Sequence, residues 1–165
     1  MKTTIKTYVC TDDKCFYYKT ISNLPCYGTI PIYIENNQPY TILVTKPKTM
    51  HSFPKGRIES NEHPLECAMR ETFEETQLEA GKDYTWLYTN RTLCDVKDGN
   101  IITQYFPVLC KHKKEVMPIK GDCIEYAKWL SFEDIFKLDR SLFHINRKRI
   151  LTNVQSILKL HNFIP

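Results

Sequence analysis

Three absences narrow what this protein can be. No run of apolar residues approaches the roughly eighteen that a membrane-spanning helix needs, so no contact with a membrane is expected. The opening stretch MKTTIKTYVCTDDKC lacks the apolar core of a secretory signal, which predicts an intracellular, cytoplasmic setting. No CxxC pair occurs among Cys10, Cys15, Cys26, Cys67, Cys94, Cys110 and Cys123, and no obvious fourth zinc ligand stands beside Cys10, Cys15 and Cys26. The cysteine number is odd and no leader precedes it, so scattered reduced thiols are expected rather than disulfides. Repeats, low-complexity tracts and linkers are missing too. The 165 residues therefore read as a single domain, 1–165, with its own core.

What is present is an ordinary globular composition, 42% hydrophobic and 25% charged, which argues against disorder. A net charge of +4 fits a polyanionic substrate better than a cationic one. Ile30, Ile32 and Ile34 alternate ahead of a turn at ENNQP, and YTILVT follows as a second strand. Pro31 is expected at a sheet edge or a strand start. Residues 84–94 and 101–110 predict two more strands around the turn DVKDGN, and AKWLSF a short one. Ile150, Leu151, Val154, Ile157 and Leu158 recur at helical spacing, which predicts a helix over 145–160. This order predicts an α+β fold with helices on a mixed sheet.

The most informative stretch is FPKGRIESNEHPLECAMRETFEET, Phe53 to Thr76. Pro64 is tolerated only in the first turn of a helix, and Asn61 or Ser60 is available to cap it. At about 100° per residue, with Glu71 at zero, Glu75 falls near 40° and Glu74 near 300°. Leu65, Met69, Thr72, Phe73 and Thr76 fall between about 100° and 200°, which predicts a core face opposite the carboxylates. Like charges at this spacing repel by a few tenths of a kcal/mol per pair. Acidic groups also sit badly at the negative, C-terminal end of a helix. A solvated acidic face is the simpler account. Against it, no lysine is interleaved, and a loop carrying Lys55, Gly56 and Arg57 leads into the helix. The stripe is also costly without a bound cation. Magnesium is commonly held by a few carboxylates together with substrate phosphates, so the stripe is read as a metal site that works on phosphates.

These residues resemble the Nudix box. Gly56, Glu62, Arg70, Glu71, Glu74, Glu75 and Leu78 fall at its required positions, a far more specific signal than a lone short motif. Thr72 stands where an aliphatic residue is usual, and Gln77 where glycine is. A left-handed backbone at Gln77 would cost about 1 kcal/mol, and the alternative is a helix that runs on to Gly81. The resemblance covers roughly 25–137 and implies the Nudix fold, a mixed β-sheet sandwiched between α-helices. Within the family, the Phe-Pro-Lys-Gly entry, CAMRETFEET and PCYGTI are most similar to the catalytic subunit of the mRNA-decapping enzyme and its viral relatives. Diadenosine tetraphosphate hydrolases share Pro-Lys-Gly, and diphosphoinositol polyphosphate phosphohydrolases resemble KWLSFEDIFKL without their Gly-Gly pair.

The resemblance implies a pyrophosphohydrolase that holds Mg2+ or Mn2+ on Glu71, Glu74, Glu75 and the carbonyl of Gly56, with Arg70, Glu74 and Glu75 as catalytic residues. Lys55 and Arg57 are the expected phosphate clamp. Asp122 and Glu125 are candidates for a further carboxylate, though surface charge is the simpler account of each. A nucleobase needs a stacking surface, for which Tyr40, Trp86, Tyr88, Tyr105 and Trp129 are available and equally placed. The basic runs Lys111–Lys114 and Arg147–Arg149 are candidates for contact with an RNA body, with solvated surface as the alternative. A catalytically silent nucleotide- or RNA-binding module is the competing functional class.

Overall fold

The computed structural model describes residues 5–9, 17–87, 89–119 and 123–165, with side chains from 20 onward. Cys10, Cys15, Tyr88 and Asp122 lie outside the described residues. Strands β1 (Ile5–Val9) and β2 (Tyr17–Ile21) form an antiparallel hairpin of their own. The main sheet opens with β3 (Cys26–Glu35) and β4 (Gln38–Thr45). Asn36 and Asn37 join them with φ of 51° and 62°, a turn whose left-handed residues match the twist of a hairpin. The short β5 (Lys55–Arg57) pairs with the start of β3.

The expected strand over 84–94 is broken in two, β6 (Tyr84–Trp86) and β7 (Leu93–Lys97). The Thr89 hydroxyl accepts from the Arg91 N–H, a side-chain turn between the two pieces. Both pieces pair with the long β8 (Asn100–Cys110). The hairpin turn is tighter than DVKDGN, because β7 runs to Lys97 and only Asp98 and Gly99, at φ 52° and 78°, make the bend. β9 (Tyr126–Ser131) completes the order β6-β8-β3-β4-β9. The β3–β8 pair is parallel and the others antiparallel, so the sheet is mixed, as expected.

Pro31 is not at an edge. It sits inside β3, opposite Val108 of β8. On its other side β5 pairing ends at Gly28 and β4 pairing begins at Ile32. The Thr29 N–H turns to that side, toward the Pro54 carbonyl. By strand alternation the missing N–H of Pro31 falls in the gap between the two partners, where no ladder bond is lost.

Helix α1 (Pro64–Thr76) covers one face of the sheet, with Cys67 and Ala68 against Tyr27 and Phe106. Helices α2 (Phe132–Phe136) and α3 (Ile145–Leu160) cover the other, against Ile30, Ile32, Leu43 and Tyr105. Each fully buried Leu, Ile or Phe contributes about 1.5–3 kcal/mol. Among the described residues no helix is long and apolar enough to cross a membrane.

Two expectations for α1, its cap and its buried face, are corrected, and the alternative at its C-terminal end is decided. Its cap is His63, whose Nδ1 accepts from the Leu65 N–H while Glu66 reaches back to the His63 N–H. Asn61, at φ 62°, serves the preceding turn instead. The helix ends at Thr76, with Gln77 left-handed at φ 61° and its N–H on the Phe73 carbonyl, so it does not run on to Gly81. Thr72 and Thr76 are buried as expected, but Cys67, Ala68 and Glu75 join the buried face, Leu65 and Met69 are half-buried, and Phe73 is 38% exposed. Small side chains let the helix approach the sheet more closely than Leu65, Met69 and Phe73 would, which rolls the core face onto Glu75.

The close pairing of β5 with β3 depends on glycine at position 28. A Cβ there would lie 2.0 Å from the Pro54 carbonyl oxygen, a backbone atom. Gly28→Ala is expected to lower stability by about 1–3 kcal/mol or more, read as a drop in the thermal midpoint. An unchanged midpoint would show that β5 is free to shift.

Candidate active site

Three carboxylates leave α1 toward the end of the sheet that carries β5. The Arg70 guanidinium gathers the outer ones. Its Nε and Nη2 donate to the two oxygens of Glu62 at 2.7 and 3.0 Å. Its Nη1 donates to Glu71 at 2.8 Å and to Glu74 at 3.3 Å, and Nη2 also donates to the Arg57 carbonyl. A two-pronged pair of this kind fixes geometry as well as charge. It holds the Glu62 carboxyl below the usual range and raises the Arg70 pKa.

The Glu71 carboxylate lies over Gly56, where an added Cβ would come within 2.0–2.3 Å of it. Glu75 is buried, and its Oε2 accepts from the Lys55 N–H at 3.3 Å. Burial, then the charge of Glu71, push the Glu75 carboxyl up to about 8. Thr72, expected to show a methyl to the core, is fully buried. Its hydroxyl meets the Thr29 hydroxyl at 2.7 Å and donates to the Ala68 carbonyl, so the polar departure from the usual aliphatic residue has a partner on β3.

A cavity of about 460 Å³ opens beside Glu75, within the range of small-molecule sites. Lys46, Lys55, Lys97 and Arg147 line it together with Glu75 and Asp95. Arg147 is fixed there, its Nε on Asp95 at 3.0 Å and its Nη1 on the His51 carbonyl at 2.7 Å. Asp95 and Lys46 carry no signal in the sequence, because only the folded β7–β8 hairpin and the loop after β4 bring them to Glu75.

The expected site residues divide. Lys55 lines the cavity. The Arg57 side chain is exposed, and that residue contributes its carbonyl to Arg70. Glu125 is exposed, with its N–H on the Thr45 carbonyl. Of the Arg147–Arg149 run only Arg147 lines the cavity, while Lys148 donates to the carbonyls of Phe136 and Leu138. In Lys111–Lys114, Lys111 donates to the Gly81 carbonyl, Lys113 pairs with Glu35, and His112 and Lys114 pair with Asp83.

None of the described aromatics considered for stacking lines the cavity. Tyr105 is fully buried, Trp86 packs on Tyr84 and Phe106, the Trp129 indole donates to the Lys114 carbonyl, and Lys113 lies over Tyr40. Cys26, Cys67, Cys94, Cys110 and Cys123 carry free thiols.

For a hard divalent cation the donor chemistry fits. All three α1 carboxylates offer oxygen, and a buried acid repelled by its neighbour is eased by positive charge. Among the described residues no three acidic, His or Cys groups are gathered closely enough to hold an ion. Arg70 engages Glu71 and Glu74, and Glu75 turns to the Lys55 N–H.

A model of the NUDIX domain family matches residues 28–153. Among solved structures, a binary complex of the Ap4A hydrolase of C. elegans is 18% identical with a TM-score of 0.67, over 83% of this chain and 98% of that one. A NUDIX family hydrolase from Clostridium perfringens is 18% identical at 0.59, over 82% and 95%. The NUDIX domain of Shewanella oneidensis NrtR, complexed with ADP ribose, is 13% identical at 0.60, over 81% and 89%. These likenesses concern the fold. No curated protein matches the chain.

The raised Glu75 pKa has a consequence for stability without divalent cations. From the ordinary value of 4.5 to about 8, the folded state keeps a proton that the unfolded chain releases. Stability is therefore highest below that window, falls as pH rises through it, and levels off above about 8. Urea midpoints taken across this range are expected to fall in the unaltered protein and to stay flat in Glu75→Gln. A rise with pH in the unaltered protein would contradict the burial of this acid.

Proposed function

This chain belongs to the NUDIX domain family, hydrolases of diphosphate bonds, and from that premise we propose that it cleaves a diphosphate linkage in a nucleotide-type substrate, the 5′ cap of mRNA. The observation that carries the nucleotide reading is the cavity, where Glu75 shares one space with Lys46, Lys55, Lys97 and Arg147. A polyphosphate is the ligand whose charge this set matches. The cap reading rests on the Phe53–Ile58 and Cys67–Thr76 resemblance described above.

In this reading Glu71, Glu74 and Glu75, with the Gly56 carbonyl, hold Mg2+ or Mn2+. When bound, the metal neutralises phosphate charge and lowers the pKa of water. Arg70 holds Glu71 and Glu74 in place. Glu74, more exposed than Glu71, would take the proton of the attacking water. Lys55 and Arg147 bind and orient the phosphates, while Arg57 reaches them only from the rim.

A second reading, diadenosine tetraphosphate, is favoured by one observation. Lys111–Lys114 begins where β8 ends, about 30 Å along the strand from Ile102 at the cavity. Its charges are engaged within the protein, so an RNA body gains little from them.

Hydrolysis is expected to require added magnesium or manganese, and turnover in excess chelator would sink this mechanism. Glu74→Gln and Glu75→Gln are each expected to lose about a hundredfold or more in rate while remaining folded. Cap-labelled RNA, diadenosine tetraphosphate and a diphosphoinositol polyphosphate should be offered side by side with manganese. Release of methylated guanosine diphosphate, falling steeply with salt, supports the cap reading. Much faster cleavage of diadenosine tetraphosphate to AMP and ATP supports the second. Nucleotide binding with no cleavage would mark a silent binding module.

A further inference from the structure

The cavity that gathers cations at Glu75 also has an apolar wall, made by Met50, Val96 and Ile102. Met50 and Val96 are 39% and 38% exposed, and Lys46, Lys55 and Lys97 line the same cavity. The segments that carry Met50 and Val96 are held by a single group. The Arg147 guanidinium binds the His51 carbonyl through one nitrogen and Asp95 through another. Met50 precedes His51 and Val96 follows Asp95, and both line the cavity with Arg147.

The third feature is a break in the hairpin register. Asp95 pairs with Thr103 and Val96 with Ile101, with the irregularity between Asp95 and Val96, so Ile102 is the extra residue. In a regular strand Asp95, Val96 and Lys97 would alternate between two faces. Here all three line the cavity, at the point where their pairing with β8 is broken by the extra residue. The extra residue, Ile102, itself lines the cavity beside Val96.

We propose that the nucleoside end of the substrate binds against Met50, Val96 and Ile102, an aliphatic wall of the cavity at the β-bulge of the β7–β8 hairpin. The inference rests on the nucleotide-hydrolase reading above and adds to it where the base sits. A base has an apolar face that gains by leaving water. The wall adjoins Arg147, so phosphates on the guanidinium and lysines leave the base beside the aliphatic side chains. No tryptophan shares this cavity, since Trp86 and Trp129 lie elsewhere.

The test is calorimetric titration of ADP, GDP and inorganic pyrophosphate, each with magnesium, into the unaltered protein and the double variant Met50→Ser, Val96→Ser. Both positions are solvent-accessible and neither change adds charge. The expected result is about a tenfold loss of affinity for at least one nucleotide, with pyrophosphate bound as before. Equal weakening of nucleotide and pyrophosphate, or no weakening of either nucleotide, would overturn the proposal. So would failure of both nucleotides to bind the unaltered protein. Tryptophan emission should change little on nucleotide binding, and strong saturable quenching would place the base on an indole and overturn it. Binding needs no turnover, so selective loss of nucleotide affinity in a protein that hydrolyses nothing would leave this wall standing and remove only the catalytic reading.

Discussion

The close seating of α1 on β3 and β5 is the constraint from which the rest of the site follows. Gly56 leaves the space that the Glu71 carboxylate fills. Cys67 and Ala68 are small enough to lie on the sheet, and Thr72 and Thr29 close the remaining distance with a buried hydroxyl pair. A bulkier residue at any of these points would lift the helix, because a packed interior has little slack. The cost is that Glu75 goes into the interface with the helix.

The charges on α1 are handled in two different ways as a result. At the outer edge Arg70 supplies the positive charge, shared among Glu62, Glu71 and Glu74. Buried Glu75 is beyond its reach and is relieved by a proton instead, with the Lys55 N–H as donor. A divalent ion held by these carboxylates would supply positive charge to both groups. The repulsion read from the spacing of Glu71, Glu74 and Glu75 is thus partly answered inside the chain.

The sequence carried the elements governed by local rules. Alternation of Ile30, Ile32 and Ile34 gave β3, YTILVT and AKWLSF read as strands β4 and β9, and the apolar spacing of Ile150, Leu151, Val154, Ile157 and Leu158 gave α3 at its observed bounds. It failed where tertiary contact overrides a local preference. The wheel assigned Phe73 to the core because it is large and apolar, whereas the sheet selects the small side chains of α1. Pro31 was assigned to an edge because proline lacks a donor, yet the gap between β5 and β4 makes that lack harmless within the sheet. The motif made the carboxylates on α1 legible. Asp95 and Lys46 could not be read, since their meaning depends on a hairpin and a loop folding over the same helix end.

That last group shows how the cavity depends on the whole fold. Glu75 comes from α1, the lysines from β5, the β4–β5 loop and the β7–β8 hairpin, and the Arg147 guanidinium from α3 on the opposite face of the sheet. Arg147 is the link that reaches across. It satisfies buried Asp95 and fixes the backbone at His51, so the loop and the hairpin are held at one separation. Partial burial of this ion pair makes its loss expensive, since Asp95 would be left as an uncompensated buried charge. Removing α3 would therefore expose the apolar face beneath it and also release both walls of the cavity, although no carboxylate of α1 lies on that helix.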